Sequence, residues 1–117
     1  MDRDTVTLLD ILSAARLALK FIEGVSELHF MADEKTQAAV IREVEIIGEA
    51  AKRLSPQFRE KHDEIPWRQI VGMRDVLIHA YDSVDLEELW YVTQVSIPEL
   101  IRFVEPLVPE EDEGELT

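Results

Sequence analysis

Apolar side chains return every three or four residues along most of this chain, and no segment sustains the alternation of a strand. That period belongs to an α-helix with one buried face. Leu8, Ile11, Leu12, Ala15, Leu19 and Ile22 make the first stripe, which stops at Gly24, a residue suited to ending a helix. Asp4 or Thr5 is placed to cap its start. A second helix is predicted after Asp33, read as its cap, with Val40, Ile41, Val44, Ile47, Ala51 and Leu54 facing the core. It ends at Ser55-Pro56. Gly48, Ala50 and Ala51 form a small-residue patch on it. Glycine there costs about 1 kcal/mol relative to alanine, so close approach of another helix is its physical reason.

Ser55-Pro56 also reads as a cap followed by a first-turn proline, giving a short helical turn through Phe58. Ile65-Pro66-Trp67 repeats that logic and opens a third long helix, in which Gly72 marks a bend. The last helix opens at Asp85, with Glu88 three residues on, in the manner of a capping box. Leu86, Leu89, Trp90, Val92, Thr93 and Ile97 supply its core side. Pro98 removes a backbone donor, so a kink or restart is expected before Leu100. The prediction is an all-α fold, an antiparallel four-helix bundle with short extra helical turns. Residues 1–105 form the bundle, and residues 106–117 are read as a disordered acidic tail carrying Glu110, Glu111, Asp112, Glu113 and Glu115.

At 117 residues the chain is expected to hold one core. It contains no cysteine, which rules out disulfides and thiolate metal sites. No apolar run approaches the roughly 20 residues that span a bilayer. The start, Met1-Asp2-Arg3-Asp4, is acidic where a secretory signal is basic and then apolar, so a cytoplasmic protein is expected. A net charge of −13 argues against sequence-blind coating of nucleic acid, which needs many cationic contacts. Any RNA must be gripped at a small local cationic site.

The richest chemistry lies in Met73-Arg74-Asp75-Val76-Leu77-Ile78-His79-Ala80-Tyr81. Met73, Val76, Leu77 and Ala80 are expected to share a buried face, leaving Arg74, Asp75, His79 and Tyr81 on the other. Asp75 and His79 are four apart, so the carboxylate can accept a proton from one imidazole nitrogen and fix the tautomer. Arg74 and His79 point about 140° apart on a straight helix, since each residue turns the chain by about 100°. Either the helix tightens, or two copies of the segment meet across a two-fold axis. The second option also buries Ile78 and Tyr81, so a homodimer is expected. His29 and His62 are read as surface residues, and Trp67 and Trp90 as core or interface anchors. There is no Glu-x-x-His pair for a di-metal bundle, no glycine-rich phosphate loop and no nucleophile elbow. No metal and no cofactor are expected.

With these residues in hand, the chain resembles the HepT-like toxins of the HEPN superfamily. The pattern Arg-x4-His-x-Tyr is matched by Arg74, His79 and Tyr81, supported by Ile65-Pro66-Trp67, by Ile70-Val71-Gly72-Met73 and by Ile47-Gly48-Glu49-Ala50. The likeness runs in order from about Leu9 to Phe103. One departure is Asp75, where many members have asparagine. The resemblance implies a helical homodimer acting as a metal-independent endoribonuclease toxin, with Arg74 and His79 catalytic and Asp75 orienting the histidine. It also implies a minimal nucleotidyltransferase antitoxin as partner, which silences the toxin by transferring AMP to Tyr81. A non-catalytic helical adaptor that docks such a nucleotidyltransferase is the alternative from a different class.

Overall fold

Two aspartates begin the long helices, and the computed structural model describes residues 1–77 and 83–109 of the chain. Asp2 caps α1 (Arg3–Phe21) and Asp33 caps α3 (Glu34–Lys52), each accepting a backbone N–H from a threonine three residues on. Between them lies α2 (Glu27–Ala32). The order continues with α4 (Pro56–Lys61), α5 (Trp67–Val71), α6 (Met73–Leu77), α7 (Leu86–Tyr91), a π-helical turn (Val92–Ser96), α8 (Ile97–Val104) and a 3-10 turn (Glu105–Leu107). No strand occurs among the described residues, as the helical period implies. α1 packs mainly on α3; α8 leans on α1, and α5 and α6 lie against α3.

The expected stripes face inward. Leu8, Ile11, Leu12 and Ala15 are buried against Val40, Val44, Ile47, Ala51 and Leu54, while Leu19, Ile22 and Ile41 are partly covered. Gly24 adopts a left-handed φ of 73°, which lets the chain turn away after α1. The cap of α1 is Asp2, not Asp4 or Thr5, because Asp2 Oδ1 accepts the Thr5 N–H at 2.8 Å. Asp4 is engaged elsewhere. Its carboxylate accepts the Ser55 N–H at 2.9 Å and the Ser55 hydroxyl at 2.7 Å, tying the start of α1 to the start of α4.

Further features depart from the sequence reading. α2 was not anticipated, since six residues are too few for periodicity to register. It is held by Ser26, whose hydroxyl accepts the His29 N–H at 3.1 Å, and by Phe30, fully buried with its ring 5.1 Å from Trp90. Buried Gln37 donates to the Phe30 and Met31 carbonyls at the C-terminal end of the short helix. The third long helix is instead two short ones, broken at Gly72. His62 is half-buried rather than on the surface; its ring sits 4.6 Å from Phe58, and its carbonyl accepts the Trp67 indole N–H at 3.0 Å.

Asp85 caps α7 as expected, accepting the Glu88 N–H at 3.0 Å. The π-helical turn precedes Pro98 and accommodates the missing donor, so α7 and α8 continue as one rod with Leu89, Val92, Thr93, Ile97 and Leu100 buried. Leu107 and Val108 still pack against the core, beyond the last residue assigned to the bundle from sequence. The acidic residues 110–117 lie outside the described residues.

Candidate active site

α6 carries the first half of the candidate motif. Met73 and Leu77 turn into the core, Leu77 completely, but Val76 does not share their face and is 59% exposed. A five-residue helix wedged between α3 and α7 buries only the narrow strip between its neighbours, and Val76 falls on its flank. Ala80, Ile78, His79 and Tyr81 lie outside the described residues. The residues that bracket them are joined, since the Asp85 N–H donates to the Leu77 carbonyl at 2.9 Å.

Arg74 projects from the opposite flank, towards α3. Its Nε lies 3.3 Å from Glu45 Oε1, and its Nη1 lies 3.8 Å from Asp75 Oδ1. The guanidinium is half-exposed, so its remaining N–H groups can meet an anion from solvent. Asp75, the expected partner of His79, has a side chain 82% exposed, and among the described residues it is paired with Arg74.

Glu45 was missed by sequence reasoning, and a signal for it existed. It falls between Ile41 and Gly48, at spacings of four and three, on the face of α3 that the glycine opens. That opening is used: a Cβ on Gly48 would stand 3.1 Å from the Val71 carbonyl oxygen. The end of α5 is therefore seated directly on α3, and α6 starts where Arg74 can reach Glu45.

On the Val76 flank, α5 and α6 diverge from α7 and α8 to leave an open cavity of about 410 Å³. Ile70, Met73, Val76, Tyr91, Val95 and Phe103 line it, with Glu88 and Glu99 also in its wall. Tyr91 and Val95 are 51% and 38% exposed, so with Val76 they make an uncovered apolar strip beside the motif helix.

Asp33 is the cap of α3, as read from the sequence. Its carboxylate accepts the Thr36 hydroxyl at 2.6 Å and the Thr36 N–H at 3.1 Å, and these bonds hold it below the ordinary carboxylate range. Among the described residues no group of three or more histidines, aspartates or glutamates is placed to hold a metal ion.

The geometry thus offers an accessible arginine at the head of a His- and Tyr-bearing segment, and the family comparison covers that segment whole. The model of the HepT-like ribonucleases matches residues 11–107. The chain belongs to the HepT-like ribonuclease family. It is 47% identical over 91 residues to a probable ribonuclease HepT of Thermococcus cleftensis, covering 78% of this chain and 83% of that protein. It is 40% identical over 101 residues to a provisionally named RNase of Caldanaerobacter subterraneus subsp. tengcongensis, covering 86% and 90% of the two chains. A provisionally named RNase of Methanocaldococcus jannaschii is 37% identical over 98 residues, covering 84% and 90%. No solved structure matches the chain. As a HepT-like protein it is an enzyme of a ribonuclease family, with an all-α fold of the HEPN kind. No helix among the described residues is long and apolar enough to cross a membrane.

Proposed function

We propose that this HepT-like protein is a metal-independent endoribonuclease toxin of a toxin–antitoxin pair, cleaving RNA in a cleft shared by two copies of the chain. The observation that carries this reading is Arg74, half-exposed at the head of the Arg-x4-His-x-Tyr segment, inside a family match that spans it. Arg74 binds the scissile phosphate and offsets the charge it gains in the transition state. His79, oriented by Asp75, moves a proton to or from the reacting oxygens, a role typically contributing about 10² to 10⁴ in rate. The ribose 2′-oxygen attacks phosphorus and loses its proton, while the 5′-oxygen leaves and gains one. The products carry cyclic phosphate and 5′-hydroxyl ends. Because the substrate supplies the nucleophile, no activated water is required.

Two facts support a shared cleft. In one chain Arg74 stands beside Glu45 and Asp75, a locally negative group that attracts a phosphodiester poorly on its own. The uncovered strip of Val76, Tyr91 and Val95 beside the motif helix suits burial against another copy. A minimal nucleotidyltransferase is the proposed antitoxin, adding AMP from ATP to Tyr81 and so placing bulk and negative charge near Arg74.

The test is expression of the chain alone beside Arg74→Ala and His79→Ala. Growth arrest and RNA breakage are expected with the unaltered chain only. Equal breakage by a purified, folded His79→Ala protein would remove that residue from the mechanism. Tyr81→Phe is expected to stay toxic yet take no AMP from the partner.

A further inference from the structure

Among the described residues, four of the twelve lysines and arginines pair with carboxylates. Arg16 pairs with Glu105, Lys52 with Glu49, Arg53 with Asp10 and Arg74 with Glu45. Arg59 and Arg68 have no ion-pair partner among the described residues, and what sets them apart is that they wall the same cleft. That cleft lies between α4 and α5, is open to solvent, encloses about 500 Å³ and is lined by Pro56, Arg59, Glu60, Trp67, Arg68 and Val71. Arg59 Nε is covered by protein yet has no hydrogen-bond acceptor, an unusual state for a buried cationic donor. Arg68 is exposed. Glu60 is the cleft's one carboxylate, so the charge there is net positive on a chain of net charge −13.

The cleft's position relative to Arg74 is fixed by α3. Val71 forms one wall, and its carbonyl is the atom against which Gly48 is packed. Gly48 is less than one helical turn from Glu45, the residue that holds Arg74. Val71 and Arg74 are themselves only three residues apart in the chain. We propose that Arg59 and Arg68 form a second phosphate subsite, holding a further backbone phosphate of the RNA strand whose scissile phosphate is presented to Arg74. Two guanidinium groups facing one cleft suit a phosphodiester's pair of free oxygens. An acidic protein that must grip RNA locally gains an anchor here without a broad basic surface. The proposal rests on the RNA-cleaving reading above.

The experiment uses the full chain and a fluorescent mixed-sequence single-stranded oligoribonucleotide. Binding is read on a His79→Ala background across a salt series, and cleavage on the unaltered background. Arg59→Ala/Arg68→Ala is expected to raise Kd and KM about tenfold, leave kcat within about threefold, and flatten the salt slope by about 1.4 for two lost single-strand contacts. The single change Arg68→Ala, at an exposed side chain, is expected to show the same direction with no cost to folding, and Glu60→Gln the opposite direction. Arg102→Ala removes an equal charge from an exposed site outside the cleft and is expected to change neither constant. RNA affinity unaltered in the double variant, or weakened as much by Arg102→Ala, would overturn the subsite. Saturation of the cleft by inorganic phosphate without competition against RNA would also overturn it. If the unaltered chain cuts RNA while the arginine variants match it, only the subsite fails. If that chain neither binds nor cuts RNA, the underlying reading fails with it.

Discussion

Glu45 on α3 pairs with Arg74 on α6 through Nε, at 3.3 Å, while Asp75 lies 3.8 Å from Nη1, so an anion is met chiefly through Nη2. An arginine tethered in this way samples fewer orientations than one free in solvent. Glu45→Ala is therefore expected to lower kcat for RNA cleavage by about tenfold, the scale on which small misplacements act. Glu45→Gln retains an acceptor oxygen and is expected to keep most of the activity. Steady-state cleavage assays on both variants check this. An alanine variant as fast as the original chain would make the contact incidental.

Asp4 and Ser55 join elements 51 residues apart through two hydrogen bonds to one carboxylate. Hydrogen bonds to a charged group contribute about 1.5 to 3 kcal/mol, so Asp4→Ala is expected to destabilise the fold by about 2 kcal/mol in urea unfolding. Ser55→Ala also removes the cap of α4, where the Ser55 hydroxyl accepts the Phe58 N–H at 3.1 Å. The double variant is expected to cost less than the sum of the singles, because each single change already breaks the shared pair.

Gly48 sets how close α5 sits to α3. A Cβ at 3.1 Å from the Val71 carbonyl requires a shift of a few tenths of an ångström. Gly48→Ala is expected to leave stability within about 1 kcal/mol, since its gain in helix propensity offsets that shift. Gly48→Val has no such compensation and is expected to cost about 2 kcal/mol by overpacking. Thermal denaturation distinguishes the two. Both changes displace the segment leading to Arg74, so both are expected to slow cleavage.

The acid limb of stability should report the Asp33 cap. The Thr36 hydroxyl and then the Thr36 N–H hold its carboxyl below the ordinary value of 3.8. A carboxylate with a lowered folded value contributes stability that is fully present above its unfolded pKa and is lost as pH falls through the folded one. Thr36→Val removes the hydroxyl that accounts for the larger part of this effect. The gap in melting temperature between the original chain and that variant is expected to be constant above about pH 5 and to close as pH falls below the ordinary carboxylate value. A gap that widens in acid would contradict this assignment.

Long helices and their caps were legible because they repeat the same physical signal over several turns. The stripes of α1 and α3 and the caps at Asp33, Ser55 and Asp85 are all where the spacing put them. Short elements were not legible. α2 carries one buried anchor, Phe30, and one anchor has no period. Asp2 and Asp4 are both good caps by composition, and only the tertiary demand of Ser55 decides which of them starts the helix. At the candidate site Arg74 and Asp75 were visible as chemistry, but Glu45 was not, because its role comes from the α3–α5 approach rather than from its neighbours in sequence. Val76 was misplaced for a related reason: spacing predicts a face, while the width of that face depends on what flanks the helix.

The wide turn at Val92–Ser96 governs more than its proline. Leu89, Thr93 and Ile97 are buried at steps of four, and on a regular helix each such step overshoots a full revolution by about 40°. Two steps would carry Ile97 far round the cylinder, away from α1. A turn closed by longer-range bonds rotates less per residue and cancels that drift, like a vernier between two scales. Chain length at this point is consequently as constrained as side-chain chemistry. One residue fewer between Tyr91 and Ile97 would swing the final helix by about 100° and trade its greasy side for its charged one.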